Sequence, residues 1–428
     1  MRLGREISIL DFASAITEAI DLSAPALNNH HKRVAYIAWR IAERMGIHQD
    51  QIEDIVLAAM LHDICEFSVA DKESLMQFDQ NVKGLNEHAE LGFRLLNRFH
   101  PLADAARLIR YHHTDYQPNQ THVPLGSHII HLADRVDTLI KTDREILGQT
   151  DQIIKQLSEA NYVFHPVVFL ALKSLVGQTY FWFEVVSPSI SSVIQRNVQF
   201  ARKTIHTETF RDFARLLAQI IDFRSPFTAT HSSGVASVAQ KLAQLVGFSD
   251  YDCERIEIAG FLHDLGKLAV PSRILEKNGK LTVEEFNIVK KHAYYTHSIL
   301  SSISGLGQIA SWASYHHERL DGSGYPFHVS GDEFLLPAQI MATADIFTAC
   351  LEDRPYRAGM NRDRTIAILT SLADNGTLNA EIVDKACENF STINGVRIRA
   401  QQEASLEYQA FYHVPELSMR ESLLSLAG

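Results

Sequence analysis

The sequence is poor in residues that break helices and in those that crosslink small secreted domains. Its 428 residues include only 21 glycines, 12 prolines and 4 cysteines. Glycine and proline together fall below their usual share of about 12%, which favours helix. The cysteines are far apart without a CxxC spacing, and a chain of this length folds without disulfides, so we expect reduced thiols.

Long apolar runs and an excess of positive charge are also missing. The most apolar segments, 167–172 and 180–186, are far shorter than the roughly 20 residues of a membrane span, and the N-terminus lacks the apolar core of a secretory signal. We therefore expect a cytoplasmic protein without membrane association. A formal charge of −11 disfavours DNA or RNA as a partner. A small anionic substrate would need a local positive group, such as a metal ion.

Histidine, in contrast, is abundant. The sequence has 21 histidines, and imidazole is the commonest metal ligand in proteins. Many of them belong to a five-element motif that occurs twice. The first copy comprises His30, His62-Asp63, His88, His112-His113 and Asp134, and the second comprises His231, His263-Asp264, His292, His316-His317 and Asp345.

The two copies keep nearly the same register. His231 and His263 follow their counterparts by 201 residues, His292 and His316 by 204, and Asp345 by 211. Both changes in offset, from 201 to 204 and from 204 to 211, fall between helical segments, where insertions are tolerated. A single His-Asp pair would indicate little, but five elements in the same order twice indicate a duplicated domain.

Apolar spacing predicts that both copies are helical. Residues at a period of 3.6 follow the first histidine of each copy, and Gly46 and Gly247 end those helices. Further helices are predicted over 52–64 and 256–266, with the His-Asp pairs at their C-terminal ends. We predict an all-α fold of two tandem helical domains: residues 1–186, a helical linker over 187–211, residues 212–392, and an extension over 393–428 that packs as a helix or forms an oligomer contact.

The motif resembles the H…HD…H…HH…D pattern of the HD superfamily of metal-dependent phosphohydrolases. The second copy resembles its HD-GYP branch in two strings, Phe261-Leu-His-Asp-Leu-Gly-Lys267 and Tyr315-His-His-Glu-Arg-Leu-Asp-Gly-Ser-Gly-Tyr-Pro326. This likeness spans about residues 212–392, whereas the first copy resembles only the wider superfamily. HD-GYP proteins hydrolyse cyclic dinucleotides, mostly cyclic di-GMP and in some members 3′3′-cyclic GMP-AMP. The resemblance implies a metal-dependent phosphodiesterase that yields a linear dinucleotide.

The resemblance also implies a binuclear metal centre in the second copy. One ion is coordinated by His231, His263, Asp264 and Asp345, and the other by Asp264, His292, His316 and His317. Imidazole and carboxylate ligands suit several transition metals, and the family favours iron or manganese. Where members with a third metal have a glutamate, this sequence has Phe227, which cannot coordinate, so we expect two ions. A second departure from the family pattern is Ser225, which stands where an aspartate is usual.

Other residues are assigned by their place in the strings. Asp264 and Lys267 are the catalytic candidates, since the ammonium of Lys267 could contact a phosphate oxygen or protonate the leaving 3′-oxygen; a solvated surface lysine is the ordinary alternative. The loop of Gly324, Tyr325 and Pro326 binds substrate or a signalling partner, or is a tight turn with a packed ring. Arg354 and Arg357 suit phosphate contacts or structural salt bridges.

The first copy is a candidate second metal site, because it keeps all the ligand types. Its register puts Glu66 where the second copy has Lys267, and it lacks the GYP string. It is either a second phosphohydrolase, such as a 5′-nucleotidase acting on the linear product, or a regulatory remnant. For the whole chain, the alternatives are another HD-type nucleotide phosphohydrolase and a non-catalytic scaffold that binds nucleotides or partners. A homo-oligomer is compatible with all of these.

Overall fold

The computed structural model describes residues 6–23, 29–65, 85–198, 204–222, 230–275, 277, 279–353 and 358–412. These ranges are mainly helical, which confirms the predicted all-α class. The helices are Ile9–Ser23, His30–Arg44, Gln49–Leu61, Leu85–Leu96, Ala103–Arg110, Leu125–Leu139, Thr150–Glu159, Pro166–Leu175, Thr179–Val185, Ile190–Asn197, Thr207–Asp222, His231–Val246, Asp250–Leu262, Ser272–Leu275, Val283–Ser302, Gly307–Ser314, Leu336–Leu351, Arg362–Asp374, Ala380–Glu388 and Phe390–Tyr412. Short 3₁₀ turns lie at His100–Leu102, Leu147–Gln149, Asn161–Val163, Leu265–Ala269, Tyr315–His317 and Gly331–Glu333.

One small strand pair accompanies the helices. Glu6–Ser8 and Thr204–His206 are antiparallel, with Ile7 opposite Ile205. The second strand lies within the predicted helical linker, whose described residues also include the helix Ile190–Asn197 and the start of the helix Thr207–Asp222. Three residues are too few for alternation of apolar and polar side chains to reveal a strand.

The helices predicted from apolar spacing are present in both copies. They are His30–Arg44 and His231–Val246. Gly247 has a φ of 95°, and its backbone N–H donates to the carbonyl of Ala243, which is a glycine C-cap. Gly46 has a φ of 70° and follows Met45, the C-cap of the helix His30–Arg44. The predicted glycines after both helices are therefore confirmed.

Contacts divide the chain into two compact units. The first unit is Met1–Phe213, Gly266–Lys277 and Val283–Gln308, and the second is Ala214–Leu265, Asn278–Thr282 and Ile309–Gly428. The first unit contains the whole first copy of the motif, together with Lys267 and His292 of the second copy. The other motif residues of the second copy lie in the second unit. The boundaries predicted from the sequence stay a prediction.

Each unit has a core around the helix that begins with the first histidine. In the first unit, His30–Arg44 packs against Gln49–Leu61 and Leu125–Leu139. In the second, His231–Val246 packs against three helices: Asp250–Leu262, Leu336–Leu351 and Phe390–Tyr412. The apolar side chains of the two central helices are fully buried at positions such as Val34 and Ile37 in the first and Val235 and Leu242 in the second. Burying one such side chain contributes about 1.5–3 kcal/mol. In each unit, the helix that begins with the first motif histidine therefore packs against the helices around it and helps to fix their positions.

The predicted C-terminal extension is described up to residue 412. It forms most of the helix Phe390–Tyr412, in which Phe411 is buried and Leu406 is 67% exposed. Packing within the chain, one of the two predicted roles, is thus observed. None of the helices in the described ranges combines the length and apolar character needed to cross a bilayer.

Candidate metal centres

The His-Asp pair of each copy lies at the C-terminal end of a helix. His62 and His263 are the residues at which Gln49–Leu61 and Asp250–Leu262 end. Backbone carbonyls in a last helical turn lack a helical partner. Nδ1 of His62 donates to the carbonyl of Ala59, and Nδ1 of His263 to that of Gly260, each at 2.8 Å. These bonds place the proton on Nδ1 and leave Nε2 as the atom that can bind a metal.

The same bond to the carbonyl three residues earlier recurs at other motif histidines. Nδ1 donates to that carbonyl in His112, His292 and His316, at 2.6, 2.6 and 2.7 Å. The pair His316-His317 lies on the 3₁₀ turn Tyr315–His317, with ring centroids 4.0 Å apart. In an α-helix consecutive side chains point about 100° apart. Because this turn directly follows the helix Gly307–Ser314, the two adjacent rings lie side by side at a helix end.

In the first unit, Asp63 lies between two groups of ligands. Its Oδ2 is 3.1 Å from Nε2 of His62 and 3.9 Å from Nε2 of His30. Its Oδ1 is 3.2 Å from Nε2 of His88 and 3.7 Å from Nε2 of His112. The two groups of converging ligand atoms are His30, His62 and Asp134, and Asp63, His88, His112 and His113. A carboxylate with one oxygen toward each group has the arrangement of a ligand shared by two cations.

The polar atoms of this centre fit a metal ion. Nε2 of His62 and Oδ1 of Asp63 are buried and make no hydrogen bond within the described part of the chain. An unsatisfied buried polar atom costs about 1–3 kcal/mol, and coordination of a cation would satisfy both. Burial raises the pKa of Asp63, but the neighbouring histidines His62, His112 and His88 together outweigh burial and hold that pKa well below its usual value. The carboxylate is therefore in the ionised form that a metal requires.

The second unit repeats the first of these two groups. Ligand atoms of His231, His263 and Asp264 lie within 4.8 Å of one another. Oδ2 of Asp264 is 3.2 Å from Nε2 of His263 and 3.9 Å from Nε2 of His231. Asp345 approaches to 3.3 Å from the same nitrogen of His231, as Asp134 approaches His30 at 3.6 Å in the first unit. Four predicted ligands of the second copy thus converge in one buried cluster.

His292 and Lys267 belong to the other unit by the division above. The His292 side chain is 1% exposed and Lys267 is half-buried. The backbone N–H of Gly266, next to Lys267, donates to Oγ1 of Thr296 at 2.9 Å. Thr296 lies one turn after His292 on the helix Val283–Ser302. Coordination by His292 stays a prediction, as does the role of Lys267.

The sequence-based prediction missed the carboxylates that orient the first histidine of each copy. Nδ1 of His30 donates to Oδ2 of Asp137 at 2.7 Å, and Nδ1 of His231 donates to Oε2 of Glu352 at 2.9 Å. These two carboxylates lie 215 residues apart, which differs from every offset of the motif. No sequence signal therefore connects them.

A second pair of carboxylates near the sites, Asp21 and Asp222, could have been identified from the sequence. Asp21 accepts from Nδ1 of His31 at 2.8 Å, and Asp222 accepts from Oγ of Ser232 at 2.9 Å. Asp21 and Asp222 are 201 residues apart, the offset of the first two ligand histidines. Burial raises the pKa of Asp222 to about 7.

The loop after the paired histidines folds back onto them. The backbone N–H of Tyr325 donates to the carbonyl of His317 at 3.2 Å, and their ring centroids are 4.8 Å apart. Glu318 is fully buried, and its Oε1 accepts from the backbone N–H of Phe327 at 2.7 Å. A Cβ on Gly324 would lie 2.4 Å from Cα of Glu318. Packing of Tyr325 on a candidate ligand, one of its predicted roles, is thus present, next to a half-buried Pro326.

Several predictions concern residues outside the described ranges. They are the phosphate contacts of Arg354 and Arg357, the charge reversal at Glu66, and the departures at Ser225 and Phe227.

The fold and the two clusters define a class of protein. Models of the HD domain match residues 28–139 and 215–382. The chain therefore contains two HD domains and is a member of the HD-domain family, whose domains are metal-dependent.

Individual relatives are similar over different parts of the chain. The chain is 29% identical to 3′3′-cGAMP-specific phosphodiesterase 1 of Vibrio cholerae over 393 residues, which cover 87% of this chain and 90% of the relative. It is 46% identical to 3′3′-cGAMP-specific phosphodiesterase 3 of V. cholerae over 35% of this chain and 33% of that protein. It is 36% identical to the cyclic di-GMP phosphodiesterase response regulator RpfG of Xanthomonas campestris over 43% of this chain and 52% of that protein.

The fold is similar to that of a solved structure. The structure of a cyclic GMP-AMP specific phosphodiesterase of V. cholerae, V-cGAP3, matches with a TM-score of 0.63 and 23% identity. The match covers 90% of this chain and 98% of that one.

Proposed function

We propose that this protein is a metal-dependent phosphodiesterase that hydrolyses a cyclic dinucleotide to a linear dinucleotide. The observation that carries the proposal is the buried convergence of His231, His263, Asp264 and Asp345 in the copy that also has the GYP loop. The relatives named above as phosphodiesterases of 3′3′-cGAMP and cyclic di-GMP support this substrate class.

The second copy would hold two divalent ions. The proposed ligands of one are His231, His263, Asp264 and Asp345, and those of the other are Asp264, His292, His316 and His317. The first copy supports this assignment, because Asp63 there presents one oxygen to each of two groups and His88, the counterpart of His292, lies 3.2 Å from it. Iron or manganese suits these ligands. When bound, such a pair supplies Lewis acidity and a hydroxide-like nucleophile at neutral pH.

The chain's own residues orient the ligands and supply a cation. The bonds from Nδ1 to backbone carbonyls hold His263, His292 and His316 in the tautomer that a metal needs. We assign to Lys267 a contact with a non-bridging phosphate oxygen or the proton that the leaving 3′-oxygen takes up. Tyr325 packs on His317 and thereby limits the movement of that ring.

The experiment that tests this function is product analysis. Purified protein is loaded with Mn²⁺ or Fe²⁺, incubated with cyclic di-GMP or 3′3′-cyclic GMP-AMP, and the nucleotides are separated by chromatography. The proposal is supported if a linear dinucleotide forms in the metal-loaded sample and does not form when a chelator removes the metal. If both cyclic dinucleotides stay intact while a nucleoside monophosphate is hydrolysed, the protein is a different HD phosphohydrolase. Binding of a cyclic dinucleotide without turnover would make it a scaffold.

Replacing Lys267 by alanine is expected to lower kcat about 100-fold, because a cation at the reacting phosphate stabilises charge that develops in the transition state. The metal content should not change, since lysine is not among the proposed ligands. Lys280→Ala, at an exposed position, is the matched control. Equal kcat values for the wild type and Lys267→Ala would show that this lysine is only a surface residue.

The first copy is proposed to be a second metal-dependent phosphohydrolase, with the linear product or a 5′-nucleotide as its substrate. The observation that favours this over a regulatory remnant is that all seven candidate ligands, Asp63 among them, gather in two groups of converging ligand atoms, and that Asp63 contacts both groups. Phosphate release from linear dinucleotide by the full-length Asp264→Ala variant would support it. No release would leave a regulatory role. The signalling partner, the homo-oligomer and the cytoplasmic location stay predictions from the sequence.

A further inference from the structure

Two residues on helices of the first copy orient its first histidine. Asp137, which accepts from Nδ1 of His30, also accepts from Arg33. The guanidinium of Arg33 reaches both carboxylate oxygens, with Nε 2.5 Å from Oδ1 and Nη2 3.0 Å from Oδ2. Arg33 lies one turn after His30 on the same helix. The first copy therefore contains both the carboxylate that orients His30 and the arginine that holds that carboxylate.

The second copy lacks both supporting residues. At the motif offsets of 201 and 211, Arg33 corresponds to Gly234 and Asp137 to Thr348. Neither residue can provide a charge. His231 donates instead to Glu352, which lies just after the end of the helix Leu336–Leu351. That carboxylate therefore needs a different donor on its second oxygen.

The donor comes from the C-terminal helix Phe390–Tyr412. Nε2 of Gln401 donates to Oε1 of Glu352 at 2.5 Å. A Cβ on Gly234 would lie 2.7 Å from that same Nε2 and 3.1 Å from Cγ2 of Thr348. The glutamine side chain therefore occupies the space beside position 234, from which Arg33 extends in the first copy, and any side chain at 234 would displace it.

A buried arginine fixes the orientation of the glutamine amide. Nη1 of Arg397 donates to Oε1 of Gln401 at 2.5 Å, and its Nε donates to Asn394 at 2.9 Å. Arg397 is only 8% exposed. Because the amide oxygen faces this cation, the amide nitrogen faces Glu352. The hydrogen bonds form one continuous series: Arg397 to Gln401, Gln401 to Glu352, and His231 to Glu352.

We propose that Gln401, held by Arg397, is a positioning residue for the metal ligand His231, and that the C-terminal helix is thereby part of the metal centre. This inference rests on the proposed function only in taking His231 as a ligand. A carboxylate bonded to Nδ1 of a ligand histidine fixes its tautomer and raises its basicity, and loss of such an outer partner typically weakens metal affinity about 10–100-fold. Without Gln401, Oε1 of Glu352 loses the hydrogen bond from this amide, which helps to hold the carboxylate toward His231.

The test is a Mn²⁺ titration of the full-length protein after removal of metal, with free Mn²⁺ measured by electron paramagnetic resonance. Gln401→Met keeps the length of the side chain and removes the amide, and Gln401→Ala removes both. Both variants are expected to bind the ion that His231 coordinates about 10–100-fold more weakly, while the ions of the first copy bind as in the wild type. Gln402→Ala, at the exposed neighbouring position, is expected to bind all ions normally.

The Met variant separates positioning from packing. If Gln401→Met bound Mn²⁺ like the wild type while Gln401→Ala did not, the helix would only fill space and the proposal would be overturned. Normal binding by both variants would overturn it as well. Hydrolysis is a separate result: wild-type protein that binds Mn²⁺ tightly but cleaves no cyclic dinucleotide would contradict the proposed function, and weakened Mn²⁺ binding in the Gln401 variants would still support the positioning role.

Discussion

Alanine in place of Asp264 is expected to reduce kcat/KM for a cyclic dinucleotide roughly 1000-fold or more, equivalent to about 4 kcal/mol of transition-state stabilisation. The reason is geometric: Oδ2 of Asp264 lies 3.2 Å from His263 and 3.9 Å from His231, and the carboxylate is the proposed shared ligand. Its loss leaves buried imidazoles without the anion that brings two cations together. Initial rates by chromatography and metal content by mass spectrometry measure both effects.

Two further variants make this result specific. Asp384→Ala, on the exposed face of Ala380–Glu388, controls for loss of one negative charge and should keep its metal and its activity. Asp63→Ala makes the same change in the first unit and should remove metal from that cluster. If Asp63→Ala lost cyclic dinucleotide hydrolysis as completely as Asp264→Ala, the assignment of this reaction to the second copy would be wrong.

A methyl group at position 324 is expected to lower the free energy of unfolding by about 1–3 kcal/mol, the usual range for overpacking. The Cβ of Gly324→Ala would lie 2.4 Å from Cα of Glu318 and 2.5 Å from N of Arg319. Backbone atoms cannot rotate away as a side chain can. The loop would therefore move, and Tyr325 would lose its place on His317, so hydrolysis should fall together with stability. Urea unfolding and initial rates measure the two effects.

Gly307→Ala is the control for this variant. A Cβ there has no neighbour within 4 Å, and the residue begins the helix Gly307–Ser314. Alanine favours a helix over glycine, so this change should leave stability unchanged or slightly higher. Unfolding midpoints that agree between Gly324→Ala and the wild type would contradict the close approach of the loop to Glu318.

The parts of the fold and site that could be predicted from sequence depend on local structure. His62 and His263 donate hydrogen bonds to carbonyls three residues earlier in their own helices. The position of each ring therefore depends mainly on residues that are close in sequence. Gly247 ends its helix through bonds within its last turn. The duplication then identified equivalent histidines that are remote in sequence, because both copies keep the same order of helices.

What could not be predicted depends on partners distant in the chain. Glu352 and Gln401 are 49 residues apart, and neither has a counterpart at a motif offset. The strand Thr204–His206 is defined by its pairing with Glu6–Ser8, which no local pattern reveals. Asp21 and Asp222 are intermediate cases. Their offset of 201 matches that of the first ligand histidines, but neither their charge nor their spacing indicated that they contact the site.

The anchoring of imidazole rings to their own helices has a consequence for the order of assembly. Five motif histidines, His62, His112, His263, His292 and His316, have one nitrogen tied to a carbonyl in the preceding turn. These rings lose their rotational freedom when the helices form, before any ion arrives. The entropy of ordering them is then part of folding and not of coordination, so an entering ion meets a preorganised shell. Metal exchange should consequently proceed in a protein that stays folded throughout.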